Sequence, residues 1–489
     1  MEFLQCVVQI LTIRKLQKIN ILDNSLISSE DSILTRFYNG LVGNKFQTDA
    51  EAVVYLYGEA TDNNIKSYRQ LKARFKKRVL NTLFFIDVNS KDYETEVQKC
   101  YFDCIRSLQE LNIIQKYGGN QSLVFEIIND HYATAVKYEF YDVLTEYTAK
   151  LLTYYSVKGN IAKYTACSKD FIRFKALQNN IDSSYALFTH INCLLAAQKK
   201  IDENALESFH LQIDNLEEQA DSYLAKCYNL LSRIFLLEHK HKLEEMSLVA
   251  DQLLVFLETK DHAFRQSFKG IANTYKIYTL LQFRDFTKGI IFIDKNLHNT
   301  FGINWFEAMD TKLRFALNLK NIELSKQILK EDYTHKSFAN LSANIKEKWY
   351  IYEGYIIFYD NYVHNGNYKF NLGKLINQVP HYYHDKSGYN LSIIILQLLF
   401  HLARKNKEEA MQLISSLRIY KTRYLKDETQ IRSTEFIKAL FYYDKFQMNK
   451  RKAGSVTTSF VNAVPQNAYI YNHEIIIYET LLDIVFDLL

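Results

Sequence analysis

From Leu281 to Leu297 the sequence reads as the end of one helix, a tight polar turn at Arg284 and Asp285, and a second helix. Phe286, Ile290, Ile293 and Leu297 follow at steps of four, three and four, which puts them on one face of that second helix. Gly289 shares this side, at a point where a neighbouring helix needs the backbone to come close. A helical hairpin of this kind cannot bury its apolar face alone. It needs a similar hairpin stacked on each side. That need constrains the fold more than any other feature, and the chain supplies the copies.

A polar turn leading into an apolar-faced helix recurs along the chain, with Val124, Tyr164, Ala205, Met246, Gly289, Ser325, Asn371 and Ala410 in equivalent places. These positions lie 36 to 46 residues apart. A unit of that length holds two helices of about 15 to 20 residues. Composition agrees, because sandwiches, barrels and wound sheets spend glycine and proline on turns, and here 489 residues include 14 Gly and 2 Pro. The 36 Tyr and 32 Phe read as bulky filling between helix layers. The fold expected is all-α: a superhelical array of about eight antiparallel helix pairs. Residues 1–100 form an N-terminal helical module, 101–446 the repeats, and 447–489 a mobile loop with a C-terminal capping helix.

The stretch Leu281 to Ile290, with its turn, aromatic Phe286 and small Gly289, resembles the tetratricopeptide repeat. Lys405 to Met411 is as close, and Leu319 to Ser325 a little looser. The likeness covers roughly residues 110–425 and lies at the level of fold. Its units run nearer 41 than the motif's 34 residues, lack the closing proline, and carry Val124, Tyr164, Met246 and Asn371 where the motif has a small residue. Longer repeats of this kind resemble those of bacterial regulatory and peptide-sensing proteins. What the resemblance implies is a right-handed solenoid with a concave groove, lined by the first helix of each pair, that holds a protein or peptide segment. First-helix residues Tyr147, Lys150, Trp349 and Tyr352 are the candidate anchors.

The N-terminal module reads differently. Met1 to Ile21 is expected to be helical, Asp49 to Tyr57 a short helix, and Asp62 the start of a longer one running to about Phe85. In the last, Tyr68, Leu71, Phe75 and Val79 form one stripe, and Lys66, Arg69, Lys72, Arg74, Lys76, Lys77 and Arg78 occupy the other faces. One reading is a solvated face paired with acids such as Glu51, Glu59 and Glu94. The other is contact with nucleic acid or an acidic partner through Arg69, Lys72, Lys76 and Lys77. A helix-turn-helix module ahead of a repeat array makes the second reading a DNA-binding regulator whose array senses a ligand.

Signs of catalysis are few. The sequence has no glycine-rich phosphate loop of the GxGxxG or GxxxxGK type and no HExxH. Cys100 and Cys104 stand one helical turn apart without further ligands to complete a tetrahedral set, and the other cysteines are scattered, as for reduced thiols. His239 and His241 diverge by about 200° on a helix, and His381 and His384 read as a surface pair. No catalytic residue, cofactor or metal is expected.

The formal charge of +5 is weak for this length. No apolar run reaches the roughly 18 residues of a membrane span, and the N-terminus lacks a basic leader, so a cytoplasmic protein is expected. The final helix, about Tyr471 to Leu489, is apolar nearly all round and either folds back as a cap or mediates self-association. The first functional reading is a non-catalytic scaffold or adaptor for a protein or peptide, the second the DNA-binding regulator. A third is a non-catalytic subunit of an enzyme complex.

Overall fold

The computed structural model describes residues 32–43, 45–83, 95–116, 121–197, 201–219, 222–262, 265–296, 303–380, 382, 388–425, 430–445, 456–465 and 468–489. Among the described residues the regular structure is helical, with no strand, so the protein is all-α. The chain divides into two compact units. One comprises residues 1–179 with 261–263, and the other 180–260 with 264–489. The division falls inside a helix and not near residue 100.

The first unit opens with α1 (Ile33–Val42), α2 (Asp49–Tyr57) and α3 (Asp62–Leu83). Each start has its cap. Ser32 Oγ accepts the Thr35 N–H at 3.0 Å, Thr48 Oγ1 the Glu51 N–H at 3.3 Å, and Thr61 Oγ1 the Asn64 N–H at 3.3 Å. The Glu51 carboxylate reaches back to the Gln47 N–H at 2.8 Å. Gly58, at φ +85°, ends α2, and a four-residue connection leads into α3. The expected stripe is the core: Tyr68, Leu71 and Phe75 are buried against Phe37, Val53 and Leu56, with the Phe37 and Phe75 rings edge-to-face at 4.9 Å. The helix expected over Met1 to Ile21 lies outside the described residues.

α4 (Glu96–Lys116), α5 (Gln121–Lys137), α6 (Tyr141–Val157) and the first half of α7 (Ile161–Ala196) complete this unit. The second unit continues through α8 (Glu203–Gln219), α9 (Tyr223–His239), α10 (Leu243–Leu257), α11 (Arg265–Gln282), α12 (Phe286–Asn296), α13 (Ile303–Asn318) and α14 (Ile322–Thr334). Then come α15 (Ala343–Val363), α16 (Leu372–Gln378), α17 (Tyr389–Ala403), α18 (Lys407–Tyr424), α19 (Ile431–Lys445), α20 (Val456–Ala463) and α21 (Tyr478–Leu488). Within each unit a helix packs chiefly on its neighbours in the chain, and α11 also meets α13.

One turn geometry recurs at six of the helix junctions. Glu139, Gly159, His241, Arg284, Lys320 and Lys405 each sit at φ between 53° and 63° just past a helix end. After each, the next N–H bonds back five residues, as Asp285 to Leu280 at 2.9 Å and Asn321 to Ala316 at 2.9 Å. The left-handed residue itself bonds back three residues, as Arg284 to Leu281 at 3.0 Å. These are Schellman closures, which satisfy the last carbonyls of the first helix and turn the chain straight into the second. Only Gly159 among the six adopts this conformation without a Cβ, so the other five hold a modest local strain in place by packing.

Gly289 does what its position suggested: a Cβ there would overlap the buried Phe315 ring of α13. Other expectations need correction. Between Tyr164 and Ala205 the chain forms one continuous 36-residue helix, α7, in its first part, because nothing between Ile161 and Ala196 supplies a Gly or Pro break. Asn371 does not sit mid-helix. It caps the short α16, its Oδ1 accepting the Lys374 N–H at 2.9 Å.

The mobile loop expected from residue 447 onward gives way to α20 from Val456, where Val456 and Phe460 are both buried one turn apart. The last helix starts at Tyr478 and not at Tyr471. Its Tyr478, Leu481, Leu482, Ile484 and Val485 are covered by α17, α19 and α20 of the same chain.

Candidate functional site

Three first helices of the second unit, α11, α13 and α17, together with α19, hold the segment from Ile470 to Ile477 by its main chain. Gln282, the last residue of α11, donates Nε2–H to the Ile470 carbonyl at 2.9 Å and accepts the Ile470 N–H at 2.8 Å. Asn318, the last residue of α13, does the same one step along: it donates to the Ile475 carbonyl at 3.1 Å and accepts the Ile477 N–H at 2.9 Å. Between them Arg314 donates to the carbonyls of Tyr471 at 3.0 Å and Glu474 at 3.3 Å, and to Asn472 Oδ1 at 3.2 Å. Ser392 of α17 donates to the His473 carbonyl at 2.5 Å.

These contacts explain why the segment is not helical. Three successive β-branched residues, Ile475 to Ile477, are stiff at χ1 and weak helix formers. Side-chain amides and a guanidinium supply the partners that helical bonding would otherwise give. The side chains then anchor it. Glu474 is 2 % exposed and pairs with Arg432 of α19, whose Nε lies 3.0 Å from Oε2. Arg432 also reaches Glu479 at 2.8 Å, and Arg284 meets the same carboxylate at 2.7 Å. Burial pushes the Glu474 carboxyl upward, while Arg432 pulls it back toward the charged form. Burial lowers the His473 pKa to about 4, with Arg314 acting in the same direction, so the imidazole is neutral near pH 7.

Beside this segment lies a cavity of about 290 Å³ between α11, α13 and α15, walled by Asn273, Tyr278, Asp310, Arg314, Lys348 and Asn472 among others. Asn273 Oδ1, Tyr278 OH and Arg314 Nε have no hydrogen-bond partner among the described residues, although Asn273 is 6 % and Arg314 1 % exposed. A buried polar atom left unpaired costs about 1–3 kcal/mol, and these three lie covered in the cavity wall, so a side-chain turn toward the cavity is what would offer them to an incoming polar group. Below them Lys348 Nζ lies 3.0 Å from Asp310 Oδ2, and Tyr352 donates to the other oxygen. Burial works against the Lys348 charge, but Asp310 outweighs it and keeps the ammonium above its ordinary range.

No match to this chain emerges from protein-family models, curated proteins or solved structures.

The anchors read from the sequence occupy other places. Tyr147, Trp349 and Tyr352 are fully buried, so they fill the interior and do not line a surface. Tyr147 bonds Ser107 of α4, and Tyr352 holds Asp310 from beneath the cavity. They face inward because aromatic positions of a first helix are taken up by the preceding pair. Lys150 spans to α4, donating to Asn112 at 2.9 Å and Gln115 at 2.7 Å. Gln282, Arg314, Asn318 and Asn273 were not singled out. The signal was present: Arg314 and Asn318 are polar, one turn apart, within an otherwise apolar run from Leu313 to Leu319.

In the first unit, Arg69, Lys72, Lys76 and Lys77 all lie exposed on α3. Lys72 pairs with Asp49 at 2.5 Å, and this contact, with Tyr68, holds the Asp49 carboxyl below its usual range. Among the described residues no other cation of α3 has an ion pair, and Glu51 is engaged with Gln47. Among the described residues no helix is long and apolar enough to cross a membrane, and no cluster of three potential metal ligands occurs. His381 and His384 lie outside the described residues. His239 and His241 are drawn apart, His239 accepting the Ile201 N–H at 3.3 Å and His241 packing edge-on to Tyr469.

Proposed function

We propose that this protein is a non-catalytic scaffold: a helical-repeat array, similar in plan to tetratricopeptide repeats, that holds an extended segment of a partner protein. The segment lies along the first helices of the second unit and enters the cavity between α11, α13 and α15. One observation carries the reading. The amides of Gln282 and Asn318 each grip a non-helical main chain by a donor and an acceptor together, whatever the side chains of that chain. Asn273, four residues from Ile277 on the same face of α11, offers a third amide of the same kind with its oxygen still unpaired. Tyr278 and Arg314 add donors, so a partner carbonyl and N–H both find company there.

The test is selection of random nonapeptides (about 30 Å when extended) on the full chain. Peptides recovered are expected to lose roughly tenfold in affinity, about 1.4 kcal/mol, for Asn273→Ala and for Tyr278→Phe, with circular dichroism unchanged. Failure to select any peptide, or binding indifferent to both substitutions, removes the proposal.

A further inference from the structure

We propose that the exposed side of α3 docks duplex DNA, independently of any peptide held by the second unit. Charge comes first. The helix carries seven Lys and Arg against the one carboxylate of Asp62, a larger net positive charge than the +5 of the whole chain. In a folded protein such a cluster is normally neutralised by neighbouring acids. Here Lys72 has Asp49, while Lys66, Arg69, Arg74, Lys76, Lys77 and Arg78 have no acidic partner among the described residues. Like charges at this density repel, and the module bears that cost around the solvent side of one helix.

Shape and chemistry narrow the occupant. Tyr68, Leu71 and Phe75 are buried against α1 and α2, so the apolar stripe of α3 is not available to enter a lipid surface. The half of α3 turned away from that core presents Asn63, Lys66, Gln70, Arg74 and Lys77, all but uniformly exposed. That combination places amides, which can read adenine edges, between cations that reach phosphates. The helix is about 33 Å long and meets a duplex bearing one charge per about 1.7 Å. It also follows α2 after a four-residue connection that contains Gly58 at φ +85°, the connection used where a second helix enters the major groove. A B-form major groove admits a helix, whereas the A-form groove of duplex RNA is too narrow.

The test uses the full chain and a labelled random-sequence DNA duplex of about two helical turns, followed by fluorescence anisotropy. With about five phosphates neutralised, affinity is expected to fall on the order of 10²- to 10³-fold between about 50 mM and about 200 mM salt. The triple substitution Lys66→Gln, Arg74→Gln, Lys77→Gln should lower the slope of log K against log salt from about 4.5 to about 2. A matched triple in the second unit, Lys330→Gln, Lys374→Gln, Lys407→Gln, should leave it unchanged. All six side chains are exposed, and circular dichroism checks that both variants fold. Four results would overturn the proposal: binding without salt dependence, equal losses in the two triples, equal or tighter binding of duplex RNA, or capture by phosphatidylserine vesicles in place of DNA. The salt slope of the unsubstituted chain decides the matter even if the α3 triple is unstable.

Discussion

Gln282 and Ile470 exchange two hydrogen bonds, side-chain amide to main-chain amide, across 188 positions of sequence. Asn318 repeats the exchange with Ile475 and Ile477. In each case a residue at the C-terminal end of a first helix, beside the turn that launches the second, is free to look outward along the segment. The turn and the grip are therefore parts of one design. The Schellman closure takes care of the helix carbonyls by backbone N–H groups, so the terminal side chain is not needed as a cap.

Replacing Asn318 by Ala leaves the Ile475 carbonyl and the Ile477 N–H without their partner. Each is half-buried or better, so the second unit should lose about 2–4 kcal/mol. Urea unfolding followed by fluorescence measures the loss, and hydrogen exchange at the Ile477 amide should quicken in step. A change below about 0.5 kcal/mol would mean that the apolar side chains of Ile475 and Ile476 hold the segment unaided.

Two glycines of the same hairpin should respond oppositely to the same substitution. Gly270→Ala, in α11 with open space around its missing Cβ, should stabilise by about 0.5–1 kcal/mol through helix propensity. Gly289→Ala in α12 pushes into the Phe315 ring and should cost about 1–3 kcal/mol, with partial rescue by Phe315→Leu. Thermal unfolding of the pair checks the sign; two changes of the same sign would mean that α12 and α13 are not in close contact.

Asp332 of α14 is fully buried with neither carboxylate oxygen hydrogen-bonded among the described residues. Burial, aided by Asp310 and Glu331, raises its pKa to about 9 from the ordinary 3.8. The folded state then keeps a proton that the unfolded chain gives up, so stability falls as pH rises from about 4 to about 9 and is level outside that window. Asp332→Asn removes this dependence. The advantage of the variant over the unsubstituted chain should grow with pH by at most about 1.4 kcal/mol per unit. Urea titrations at about pH 5 and about pH 8 test it; an equal difference at both values would show that Asp332 is ionised in the fold.

Much of this was legible in the residues. Polar dipeptides such as Arg284 with Asp285 and Lys320 with Asn321 mark real turns, and Gly289 marks a real close approach. α2 and the start of α3 fall where Asp49, Tyr57 and Asp62 suggested. Periodicity failed where tertiary partners overrode local preference. Apolar residues from Tyr469 to Leu489 fit a helix, yet the amides of Gln282 and Asn318, far away in sequence, hold the first part as a turn with irregular flanks. Periodicity also shows that Trp349 and Tyr352 share a side of α15, but not whether that side meets solvent or the preceding pair. The cavity was out of reach for a different reason: Asn273, Arg314 and Lys348 come from three helices, and no local pattern joins them.

The pairing of Arg432 with Glu474 sets an order of events during synthesis. Arg314, Asn318 and Arg432 are all translated before the segment that satisfies them, and Arg314 and Arg432 are buried in the finished protein. Until the residues from Ile470 onward have left the ribosome, Arg314 and Arg432 lack the carbonyls and carboxylates they meet in the finished fold, and α17 and α19 have an open apolar side. Its closure thus comes after that of the α1–α3 core, which is built from residues close together in the chain and can set as it emerges.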